Sequence, residues 1–121
     1  MKLVSFFALA FLATGSLAQA ASTCAVTMKD GSVQKQAIAI EWEHGSPEAS
    51  GDLQIAGLDI VFESGYGGVD EDNGGSNKYV FQIFSVTRDS KLLAQKDIGE
   101  TGRVFDQAID DASVKHIRCE L

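Results

Sequence analysis

The sequence predicts a mainly β protein: a compact antiparallel β-sandwich or strongly bent sheet with one short helix, its ends tied by a disulfide. Three observations lead there. From Cys24 onwards, apolar residues recur mostly at every second position, in short runs bounded by glycines and other turn residues. Only Arg103–Asp110 combines helical spacing with a candidate cap. The two cysteines, Cys24 and Cys119, stand near opposite ends of the chain that follows an N-terminal leader.

That leader is residues 1–20. Lys2 gives a positive start, Leu3–Ala13 is an uncharged apolar run, and Ala18-Gln19-Ala20 supplies the small residues a signal peptidase requires. The run is shorter than the roughly 20 apolar residues that span a bilayer. Residues 1–20 therefore read as a signal peptide and 21–121 as a single secreted, extracellular domain; entry into a host cell stays open. Both cysteines survive cleavage into an oxidising compartment, so a Cys24–Cys119 disulfide is expected.

The elements follow in order. Cys24–Lys29 alternates weakly and runs into Asp30-Gly31, a hairpin signal of the type I′ kind. Residues 32–43 fit a strand with Ile38, Ile40 and Trp42 on one face, or a helix capped by Ser32; the isoleucines and the preceding turn favour the strand. His44–Asp52 holds the only proline and reads as a loop. Leu53–Ile55 and Leu58–Glu63 read as strands about an Ala56-Gly57 turn, and Ser64–Asn77 as a long, glycine-rich mobile loop. Lys78–Thr87 carries apolar residues on both faces and predicts a central strand covered on both sides. Lys91–Ile98 is its hairpin partner. Val104, Phe105, Ala108 and Ile109 lie at helical spacing behind Thr101, which predicts the short helix, and Ser113–Leu121 closes the chain as a strand carrying Cys119.

Charge narrows the partners. The chain carries 10 Lys and Arg against 17 Asp and Glu, a net charge of −7, which becomes −8 once Lys2 leaves with the leader. Such a surface repels phosphate backbones, so neither nucleic acid nor an anionic membrane is an expected partner. No nucleophile elbow, phosphate loop, HExxH or dinucleotide fingerprint occurs, and no cofactor or metal is expected. Asp70, Glu71 and Asp72 suggest calcium, but an EF-hand template started at Asp70 puts Gly74 in the fifth place and Phe81 in the twelfth. A solvated acidic loop is the better reading.

Two sets of residues could carry chemistry. Glu41 and Glu43 share a strand face beside Trp42 and His44, close enough for one carboxyl to perturb the other. A ribonuclease-type hydrolase would draw a base and an acid from Glu41, Glu43, His44 and His116, and a charge-stabilising guanidinium from Arg103. The other set is adhesive: Trp42, Tyr66 and the acidic residues Asp70, Glu71 and Asp72 are candidates for contact with another protein, through a sheet edge or the Ser64–Asn77 loop.

Signal peptide, acidic domain and a cysteine pair joining the ends together resemble the small secreted effector proteins of plant-associated fungi. Cys24-Ala25-Val26 leading to Asp30-Gly31 is similar to the first strand of the β-sandwich avirulence proteins and toxins, whose second cysteine usually lies further from the C-terminus than Cys119. Cysteines near both ends resemble the ribonuclease-like group, an α+β fold whose members often lack catalytic residues; here Ser22-Thr23 stands where that group has an aromatic-x-Cys motif. The resemblance implies a monomeric, non-catalytic virulence protein that binds a host or competitor protein, with a small secreted hydrolase as the alternative.

Overall fold

The computed structural model describes residues 21–68 and 79–121. The leader and the candidates Asp70, Glu71 and Asp72 lie outside the described residues. Nine strands appear: β1 (Thr23–Met28), β2 (Val33–Ala37), β3 (Ala39–Trp42), β4 (Ala49–Ile55), β5 (Leu58–Gly67), β6 (Tyr79–Arg88), β7 (Lys91–Asp97), β8 (Val104–Ala108) and β9 (Val114–Glu120). They form a four-stranded sheet, β2-β1-β9-β8, and a five-stranded sheet, β3-β4-β5-β6-β7, with every pairing antiparallel. Among the described residues there is no helix, and so none long and apolar enough to cross a membrane.

The alternation seen in the sequence becomes two apolar faces turned towards each other. Val26, Val114, Ile117 and Phe105 come from one sheet, and Leu58, Ile60, Phe62, Phe84 and Val86 from the other; all are buried. A line of aromatic rings crosses this core. Trp42 meets Phe62, Phe62 meets Phe84 and Phe84 stacks on Phe105, with centroids 6.0, 4.9 and 5.0 Å apart. Cys24 and Cys119 stand directly opposite each other on neighbouring strands β1 and β9, their disulfide fully buried.

The predicted helix at 103–110 is strand β8. Its spacing suits a helix, but Phe105 pairs opposite Cys119 and stacks on Phe84, which anchors the segment to β9 as a strand. Ile109 reaches the core only after β8 has ended, where its N–H bonds to the Lys115 carbonyl. A tertiary contact thus overrides the local period.

Other expectations shift in detail. Residues 33–42 are extended rather than helical, but the segment divides at Ile38, a buried side chain whose N–H bonds to the Ser22 carbonyl as the chain passes from one sheet to the other. The Asp30-Gly31 hairpin forms with a different turn. Gly31 N–H bonds to Met28 O, Met28 N–H bonds to Ser32 O, and of these turn residues only Gly31 has positive φ, which makes a three-residue loop with a glycine bulge. Ala56-Gly57 instead has two positive φ values and provides the I′-like hairpin turn. The loop expected over His44–Asp52 is shorter, because β4 starts at Ala49.

The expected loop from Ser64 is strand up to Gly67, since Gly65 and Gly67 give room for the rings of Phe81 and Tyr79 opposite them on β6. Nor is β6 covered on both sides. It turns Gln82, Phe84 and Val86 inwards, and its other face is only half-buried or exposed because no third layer stands among the described residues.

Candidate functional site

The β3–β4 hairpin gathers most of the residues singled out in the sequence. Glu43 N–H bonds to Glu48 O at 2.8 Å and Ser46 N–H to Glu43 O at 3.1 Å, closing a tight loop through Gly45, whose φ is 72°. From β5 the buried Ser64 hydroxyl donates to the Pro47 carbonyl at 2.6 Å, fastening this loop to the sheet. Around it opens a concavity of about 670 Å³ bordered by Glu41, Trp42, Glu43, His44, Glu48 and Tyr66 among others. Trp42 and Tyr66 are 52% and 43% exposed, although Trp42 keeps one contact with Phe62. Such aromatic exposure is unusual for side chains that favour burial or an interface.

The two remaining candidates lie elsewhere. Arg103 borders a second groove, which shares Trp42 with the first, and its guanidinium donates to the Gly102 and Glu100 carbonyls. His116 sits on the outer face of the four-stranded sheet, where it meets the Asp106 carboxylate; Arg118 bonds to the same Asp106 at 2.8 Å and to Glu120 at 2.9 Å. The concavity that holds Glu41, Glu43 and His44 has no Lys or Arg among its lining residues. It can accept hydrogen bonds and stack against apolar groups, but among the described residues it offers no Lys or Arg to stabilise a developing phosphorane charge. Among the described residues, no group of three or more His, Cys, Asp or Glu could hold a metal ion.

The strongest electrostatic feature escaped the sequence. Asp111, buried in the β8–β9 loop, accepts hydrogen bonds from Arg88 Nε at 2.7 Å and Arg88 Nη2 at 3.1 Å, and from the Ser113 and Val114 amides at 3.0 Å each. The Arg88 bond, followed by that from the Ser113 amide, holds its carboxyl far below the usual carboxylate range. Arg88 also donates to the Ala56 carbonyl, so one guanidinium joins the β4–β5 turn to the β8–β9 loop across the two sheets. Asp111-Ala-Ser113, an aspartate two residues before a turn serine, was the available signal.

A second unforeseen device is Gln82, buried on β6. Its side-chain amide donates to the carbonyls of Gly99 at 2.6 Å, Gly102 at 3.0 Å and Glu100 at 3.2 Å, shaping the turn by which the chain leaves β7 for β8. No protein-family model, curated protein or solved structure matches the chain.

Proposed function

We propose that this is a secreted effector-type protein that acts by binding a host or competitor protein, with the β3 edge and the Trp42–Tyr66 concavity as its contact surface. The observation that carries the reading is the pairing of two exposed aromatics with an edge strand. Among the described residues β3 has a hydrogen-bonded neighbour on one side only, so its outer backbone groups can accept a partner strand while Trp42 and Tyr66 flank it as side-chain anchors. The buried Cys24–Cys119 bond agrees with residence in an oxidising compartment.

A non-catalytic role is favoured over a ribonuclease-like hydrolase by the separation of the candidate groups. Glu41, Glu43 and His44 border one concavity, Arg103 another, and His116 lies on the opposite sheet. Two assays separate the readings. Mature protein should retain a specific partner from host or competitor extracts, with retention lost in Trp42→Ala and Tyr66→Ala, and should leave RNA intact at high concentration. RNA cleavage abolished singly by Glu41→Gln, Glu43→Gln or His44→Ala would reverse the assignment.

A further inference from the structure

The groove bordered by Arg103 differs in kind from three other concavities among the described residues. Glu41, Glu43 and Glu48 border the hairpin concavity; Glu41, Asp52 and Glu63 border one on the outer face of the five-stranded sheet; Asp89, Asp110 and Asp111 border one beside Arg88. Among the described residues, no Asp or Glu side chain lines the Arg103 groove. Its walls are Ile38, Ile40, Trp42 and Leu121 with small residues between them, and its volume of about 670 Å³ lies within the roughly 300–1,000 Å³ usual for small-ligand sites.

Arg103 is the groove's one charged side chain among the described residues, and no carboxylate pairs with it. Arg88 is bonded to Asp111 and Arg118 to Asp106 and Glu120, whereas Arg103 has no carboxylate within ion-pair distance among the described residues. Its Nη1 meets two backbone carbonyls, and its Nε and Nη2 have no hydrogen-bond partner among the described residues. A guanidinium with open donors at the rim of an apolar groove matches a planar anion attached to an apolar chain.

We infer that this groove binds a free medium-chain carboxylate, its tail along Ile38, Ile40 and Trp42 and its head on Arg103. The site sits where the chain passes from β2 to β3; Ile38 is buried there, whereas Ile40 is half-buried and Trp42 exposed. The net charge of −7 slows the approach of an anion, but screening confines that effect to about 8 Å at physiological salt, and contact with Arg103 is local. The groove shares Ile40 and Trp42 of β3 with the proposed protein-binding surface, but Arg103 belongs to the groove alone, so Arg103→Gln tests this inference without touching the residues on which the protein-binding role rests.

Trp42 is the only tryptophan, so its fluorescence reports the groove directly. Dodecanoate, titrated below its micelle concentration, should produce a saturable one-site change, and amide shifts in a nitrogen-15 spectrum should concentrate at Ile38, Ile40, Arg103 and Leu121. Arg103→Gln changes an exposed side chain and should weaken binding about tenfold, the scale of one charge-assisted contact, while the spectrum stays folded. Dodecyltrimethylammonium, with the same tail and a cationic head, should bind at least tenfold more weakly than dodecanoate. Absence of saturation, equal affinity for both heads, full affinity in Arg103→Gln, or shifts concentrated elsewhere would each overturn the assignment.

Discussion

Replacing both cysteines by alanine removes a covalent link between residues 95 positions apart while leaving the β1–β9 pairing in place. In the chain-entropy treatment, cross-linking a loop of that length restricts the unfolded ensemble by about 4.7 kcal/mol at 25 °C. Loss of two buried sulfurs adds a smaller packing cost in the same direction, because both side chains are fully enclosed. A small domain has only about 5–15 kcal/mol in total, so the double variant should lie near the limit of folding at 37 °C. Urea unfolding followed by Trp42 fluorescence measures this. The expected result is a loss of about 4 kcal/mol or more, with a larger m-value as the unfolded chain expands. A loss under about 1 kcal/mol at unchanged m would refute the reasoning, because the unfolded chain would then be compact without the bond.

Three further perturbations address particular contacts. Asp111→Ala leaves the Ser113 and Val114 amides without their acceptor and should cost about 1–3 kcal/mol by denaturant unfolding, with the half-buried Arg88 keeping access to water. The same residue sets an acid dependence. Its folded pKa lies below the unfolded value, so its contribution is fully present above the ordinary carboxylate range and is lost as pH falls below about 4. The native protein should therefore lose stability there more steeply than Asp111→Ala, and parallel curves in acid melts would count against the clasp. Gln82→Leu should cost about 1–3 kcal/mol and speed amide exchange near Gly99–Gly102, because three carbonyls lose their donor. Gly51→Ala brings a Cβ against the Ala39 carbonyl oxygen and should loosen β3, which faster amide exchange over Ala39–Trp42 would report.

The parts of the fold that were legible in the sequence depend on short-range patterns. Alternation in Leu58–Glu63, the apolar run Lys78–Thr87, the turn at Ala56-Gly57 and the terminal cysteines all announce strands joined by tight turns, although the run itself suggested cover on both faces of β6. Features created by distant partners were not legible. Val104–Ile109 carries a helical period locally, and only Phe84 and Cys119 across the core make it a strand. Gly65 and Gly67 look like loop residues until Phe81 and Tyr79 are placed over them. Of the candidate site, the cluster Glu41-Trp42-Glu43-His44 was visible because its members are adjacent in the chain, and the hairpin does bring Tyr66 to them. Arg103 and His116 were drawn in by residue type alone, and pairing registers place them on other surfaces.

The most direct measurement is retention of a partner by the mature protein, compared with the double variant Trp42→Ala, Tyr66→Ala. Both side chains are about half exposed, so the variant should keep its disulfide and fold, with a small stability cost from the lost Trp42–Phe62 contact. If the edge of β3 and its two aromatics form the contact surface, a specific host or competitor protein is held by the native chain and weakened at least tenfold in the variant. A partner retained equally by both proteins, or none retained by either, would contradict it.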